Sequence, residues 1–228
     1  MSDLASGNLT LPDSLRYLVV EGVIGAGKSV LACLLAERLN LRLVLENNEE
    51  NLFLKRFYRN PVRWAFQTQV AFLTSRYRQL SALRSLDLFH RGVITDFSFD
   101  KDRIFAHMNL SGADLHLYEM LYAQMEPSTP RPDLVVYLQS SVERSLTRIH
   151  ERGRQYESDI SRDYIARLHE AYTHYFFRYT KSPLLIINVE NLDFENCSTA
   201  LDELLYQIVR VRHHGLTYFR SGEPVAFA

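Results

Sequence analysis

Apolar and polar positions alternate between two periods along the 228-residue chain. Residues 17–21, 41–45, 92–95, 134–138 and 184–189 are short apolar runs bounded by polar or turn residues, a pattern that predicts five buried strands. Between them the apolar residues recur at steps of three and four. Leu31, Leu34, Leu35 and Leu39 share one helical face after the first strand. Phe66, Val70, Leu73, Tyr77 and Leu80 form the core stripe of a long helix expected from Pro61 to about Leu86. Further helices are expected over 115–125, 159–179 and 201–211, with 127–132 as a connector. Strands alternating with helices predict an α/β fold, a five-stranded parallel sheet with helices on both faces. Residues 1–14 have no period and read as a flexible lead-in, and 213–228 carry no usable pattern, which leaves a single domain over 15–212.

Composition narrows the partners. Charged residues make up 23% of the chain but the net charge is only -1, so no general field attracts nucleic acid or a membrane surface, and any anion site must be local. Cys33 and Cys197 are too few for a disulfide framework or a thiolate zinc cluster and read as reduced thiols, which suits the cytoplasm. The start of the chain has no secretory pattern, and no apolar run reaches spanning length. The eight histidines fall at no ligand spacing, and no G-x-S-x-G elbow is present.

One stretch carries specific chemistry. Gly22-Val-Ile-Gly25-Ala26-Gly27-Lys28-Ser29 lies between a predicted strand and a predicted helix. It supplies unobstructed backbone N–H donors, an ammonium to bridge anionic oxygens and a hydroxyl for Mg²⁺, so it reads as a nucleotide-phosphate cradle. Glu46 and Asp96 stand at the carboxyl ends of the second and third strands, where parallel sheets place their ligands. Glu46 is a candidate general base or a solvated acidic turn; Asp96 is a candidate Mg²⁺ holder. On the long helix, Gln69, Phe72 and Arg76 stand at i, i+3 and i+7, either lining one side of a pocket or, as spacing alone favours, facing solvent. Arg148 and Arg152 share a helix face and Gly153 aims Arg154 separately, which reads as an arginine lid over about 148–160 or as a solvated basic face.

Together these stretches resemble the deoxynucleoside kinase family over roughly residues 16–194. Glu21 through Ser29 is similar to its phosphate loop, and Glu46 to its catalytic glutamate, without the usual adjoining proline. The run from Phe57 through Gln69, with Phe72 and Arg76, matches the family's spacing of Tyr, Trp, Gln and Arg. The resemblance implies a P-loop kinase fold and ATP- and Mg²⁺-dependent phosphorylation of a deoxynucleoside 5′-hydroxyl, in nucleotide salvage. It puts Tyr58 and Glu157 at the sugar 3′-hydroxyl, Trp64 in the pocket wall, Gln69 on the base edge, Phe105 stacked on the base and Asp193-Phe194 beside the donor adenine. Lys28, Arg148, Arg152 and Arg154 would hold the donor phosphates, Ser29 and Asp96 the metal, and Glu46 or Asp96 would take the hydroxyl proton. A homodimer is implied by analogy; Arg76 with a nearby aspartate resembles the deoxycytidine and purine members more than the thymidine-preferring ones, and a purine, deoxyadenosine first, is expected.

Two departures stand out. Where the family has an acid followed by Arg and Ser, this chain has Asp96-Phe97-Ser98, leaving Lys101 or Arg103 to replace the charge; the next segment is one residue short, leaving Asp100 and Asp102 as alternatives for the base-contacting acid. A thymidylate-type monophosphate kinase and a catalytically weak regulatory protein remain as alternatives.

Overall fold

The computed structural model describes residues 11–84, 90–210 and 215–219. Its centre is a six-stranded, all-parallel sheet in the order β2-β3-β1-β4-β5-β6. The strands are β1 (Tyr17–Gly22), β2 (Arg42–Val44), β3 (Val93–Thr95), β4 (Leu134–Gln139), β5 (Leu184–Asn188) and β6 (Leu216–Phe219). The helices are α1 (Lys28–Leu39), α2 (Leu54–Arg59), α3 (Pro61–Ser81), α4 (Asp100–Asn109), α5 (Gly112–Met125), α6 (Val142–Arg152), α7 (Arg162–Phe177) and α8 (Ser198–Arg210). All five expected strands are present. The sixth arises from the segment in which no pattern was legible: it is a four-residue edge strand whose apolar Leu216 and Tyr218 are exposed while Phe219 is buried, so its apolar residues mark no covered face.

The central strands β1 and β4 are apolar almost throughout because both faces of a parallel sheet are covered by helices. Strand order reverses at β1, since the chain runs from β1 outward to β2 on one side and β4 pairs on the other; a crevice opens there at the carboxyl ends. α1 packs on β1, β2 and β3 through Leu31, Leu35 and Leu39, and Asn40 ends it in the left-handed conformation. α3 starts as its sequence dictates: Pro61 occupies the first turn and the Asn60 side chain accepts from the Arg63 N–H at 3.3 Å. It ends at Ser81 rather than near 86, and residues 85–89 lie outside the described segments. Its buried face also differs from the expected stripe. Gln69 and Arg76 are buried with Leu73 and Leu80, whereas Phe66, Val70 and Tyr77 are half-exposed. Hydrophobic periodicity reported an apolar face, but the inward face of α3 is the one carrying the polar pocket residues.

Leu35 is fully buried under β1, and Leu35→Ala is expected to lower unfolding free energy by about 2–5 kcal/mol in urea titrations, the cost of lost transfer plus an unfilled cavity. A change below ~1 kcal/mol would contradict the packing described here.

Candidate active site

Gly22 closes β1, and the loop that follows turns onto the N-terminus of α1, which no side chain caps. The first N–H groups of this helix are therefore available to an anion. Two glycines are required by geometry. Gly25 has φ +82° and a Cβ there would collide with the Ser145 carbonyl; Gly27 has φ +93° and a Cβ there would displace the Arg148 guanidinium, which lies over the loop. The Lys28 ammonium donates to the Val23 carbonyl at 2.9 Å. Burial and then the charge of Lys101 push Lys28 down to about 8, against the pull of Glu21, Asp96 and Glu46.

Asp96 follows β3 and ties the loop to the next strand end. Its Oδ2 accepts from Ser29 Oγ at 2.5 Å and its Oδ1 from the Glu46 N–H at 2.7 Å. A hydroxyl and a carboxylate in contact beside a phosphate loop fit Mg²⁺, a hard cation that binds through few protein oxygens and keeps water and phosphate ligands. No cluster of three or more His, Cys, Asp or Glu among the described residues offers an all-protein cage.

Glu46 has both carboxylate oxygens engaged. Oε1 takes Arg76 Nη2 at 2.6 Å and Nε at 2.7 Å, and Oε2 takes Lys101 Nζ at 2.5 Å; all three side chains are about 95% buried. Arg76 also pairs through Nη1 with Asp102, whose other oxygen accepts from Tyr118 OH at 2.6 Å. Burial pushes the Glu46 carboxyl up, but Arg76 and Lys101 outweigh it and hold the group down at about 2. For Asp102 burial wins over Arg76 and raises it to about 6, because the guanidinium is shared and Glu46 adds repulsion.

Glu46, Arg76 and Lys101 face a cavity of about 150 Å³. Lys28, Ser29 and Asp96 line it together with Gln69, Phe72, Phe105 and Tyr58 and with Arg152, Arg154 and Glu157 of the lid. Gln69 Oε1 is buried and makes no hydrogen bond, so an N–H donor is wanted there. The Arg76 guanidinium lies 4.7 Å from the Phe72 ring centroid. In the lid, Arg152 clasps the buried Glu157 through Nη2 and Nε, at 2.7 and 3.2 Å.

Several expectations resolve here. Gln69 and Arg76 line the cavity and are not solvent-facing. Of the two cations offered for the charge missing at Phe97, Lys101 reaches Glu46, while Arg103 is half-exposed and paired with Glu119 at 2.8 Å; Phe97 itself is wholly buried in the core. Of the two aspartates, Asp102 meets Arg76, whereas Asp100 pairs with Lys181 and Tyr122 elsewhere. Asp102 is fully buried behind Arg76 and does not line the cavity. Trp64 is also outside the lining: it stacks on Phe53 at 5.9 Å, with Arg56 and Arg63 over its ring. Asp193, Phe194 and Arg148 lie away from this cavity, with Arg148 above the phosphate loop and Asp193 feeling its charge from the loop after β5.

One residue was overlooked as a site element. Glu21, fully buried at the end of β1, accepts from both the N–H and the hydroxyl of Ser98 at 2.7 Å and so fixes the start of α4. Its signal was a charge inside an otherwise apolar strand.

The deoxynucleoside kinase family model matches residues 18–211. The chain is 32% identical over 204 residues to the deoxyadenosine/deoxycytidine kinase of Bacillus subtilis, covering 86% of this chain and 93% of that one. It is 32% identical to the deoxyadenosine kinase of Dictyostelium discoideum, over 92% of this chain and 84% of that one. The structure of deoxyadenosine kinase from M. mycoides with bound dATP superposes with a TM-score of 0.73 and 25% identity, covering 84% of this chain and 98% of that one.

Glu46 is held below its ordinary value of 4.5, so its ion pairs contribute fully above 4.5 and are lost as pH falls from there towards 2. Glu46→Gln is therefore expected to lower the thermal unfolding midpoint near neutrality and to flatten its decline between about pH 5 and pH 3. Parallel wild-type and variant curves would contradict an ionised, paired Glu46.

Proposed function

The chain belongs to the deoxynucleoside kinase family, and on that premise we propose that it transfers the γ-phosphoryl group of ATP to the 5′-hydroxyl of a purine deoxynucleoside, deoxyadenosine first, with Mg²⁺. It is a phosphotransferase acting on a deoxynucleoside; the donor, the metal, the base and the residue roles are the substance of the proposal. The observation that carries it is that Lys28, Glu46 and Gln69 line one cavity, so a phosphate holder, a carboxylate and an unpaired amide oxygen converge on one bound molecule.

In this reading the base lies between Phe72 and Phe105. Gln69 Oε1 accepts from an exocyclic amino group and Arg76, backed by Asp102, donates to a ring nitrogen. Adenine offers both partners. Tyr58 and Glu157 hold the sugar. Glu46 accepts the proton of the 5′-hydroxyl as that oxygen bonds to the γ-phosphorus; the bond from phosphorus to the bridging oxygen breaks and its electron pair leaves with the diphosphate. Lys28, Arg148, Arg152 and Arg154 offset the charge of the transferring group and its leaving diphosphate. Ser29 and Asp96 would hold Mg²⁺, which when bound would neutralise phosphate charge.

We also propose a cytoplasmic homodimer. The two cysteines are free thiols, and no helix among the described residues is long and apolar enough to cross a membrane. α3 and α5 pack together, and α3 exposes Val62 while α5 exposes Leu117 and Met120, apolar side chains that a second copy could cover.

Glu46→Gln, which keeps the size of the side chain and removes the base, is expected to reduce kcat by about 10²–10⁴-fold while ADP affinity stays within about twofold. Near-normal turnover in coupled ADP-release assays would move the base elsewhere.

A further inference from the structure

A carboxylate whose two oxygens are both paired with cations is a weak base, so a base arranged like Glu46 becomes stronger when one partner is drawn away. The two partners differ in how firmly they are fixed. Arg76 is anchored a second time by Asp102, which Tyr118 holds in turn, and its planar fork lies over Phe72. Lys101 Nζ makes one hydrogen bond among the described residues, to Glu46 Oε2 at 2.5 Å, and its ammonium sits on a stem with four rotatable carbons. Its main chain cannot follow: the Lys101 N–H is bound by Ser98 Oγ at 3.1 Å, and Ser98 by Glu21. Lys101 also lines the cavity with Lys28, close enough for the two like charges to repel. An anion seated between them would relieve that repulsion, and the outermost phosphate of a donor on the loop is such an anion.

Building on the assignment of Glu46 as base, we propose that Lys101 is an exchangeable cation that masks Glu46 until the terminal phosphate of the donor draws the ammonium away and frees Oε2 for the acceptor hydroxyl. Lys101 thereby couples donor occupancy to unmasking of the base. It discriminates a triphosphate from a diphosphate, because only the triphosphate reaches the ammonium.

The experiment is equilibrium binding of a non-hydrolysable ATP analogue and of ADP, each with deoxyadenosine present, to the wild-type chain, K101M, K101R and R103Q. The wild type is expected to prefer the triphosphate. K101M should lose about tenfold or more of triphosphate affinity and keep ADP affinity within about twofold, the loss of one charge-assisted contact. K101R should retain the preference, and R103Q, whose guanidinium pairs with Glu119 away from the cavity, should match the wild type. K101Q repeats the comparison if K101M does not fold. An unchanged preference in the neutral variant overturns the proposal, as does an equal loss of both ligands or the failure of both neutral variants to fold, each of which marks Lys101 as structural. Wild-type turnover separates the two levels. A chain that phosphorylates no deoxynucleoside overturns the functional reading itself, whereas normal turnover with an unchanged K101M preference overturns only the role of Lys101.

Discussion

A guanidinium shut between two carboxylates is the interaction on which this active site depends. Arg76 belongs to α3, Glu46 to the end of β2, and Asp102 to α4, with Tyr118 of α5 completing the chain of contacts. Each charge would be costly to bury alone, and removing one member of such a set typically costs about 3–5 kcal/mol because it strands the others. The network therefore fixes three helices and a strand end relative to one another. It also sets the chemistry, since the charge that orients Glu46 is the charge that keeps it ionised.

The same network separates two tasks within one small cavity. Where it meets the phosphate loop the cavity has Lys28 and Ser29, which in the proposed reading face phosphate. Around α3 and α4 it has two aromatic rings, an amide and the guanidinium, which in that reading face a flat heterocycle with an amino group. Glu46 stands at the seam. β1 brings the two ends together, because the phosphate loop leaves its carboxyl end while its buried Glu21 fastens the turn into α4 through Ser98.

Much of this was legible in the residue order, for physical reasons that differ by element. The phosphate loop could be read outright because its backbone geometry admits few residue types: Gly25 and Gly27 occupy positions where a side chain collides or is strained. The central strands were legible because burial on both faces leaves an unbroken apolar run. β6 was not, since a four-residue edge strand that exposes two of its three apolar side chains marks no covered face. α3 was visible as a helix but misread as to its inward face, because hydrophobicity scores Gln69 and Arg76 as solvent-seeking, whereas the Arg76 partners Glu46 and Asp102 lie 30 and 26 positions away in the chain and the Gln69 amide oxygen is buried without a partner. Long-range pairing likewise separates Lys101, which reaches Glu46, from Arg103, which pairs with Glu119, a distinction that spacing could not draw.

The central claim is that one cavity joins a phosphate donor to the primary alcohol of a deoxynucleoside. It is tested most directly by initial-rate ADP release with ATP and Mg²⁺ across the four deoxynucleosides and their 5′-monophosphates. The account predicts the highest kcat/KM with deoxyadenosine and negligible turnover of every monophosphate. Turnover of a monophosphate faster than its parent nucleoside would contradict it.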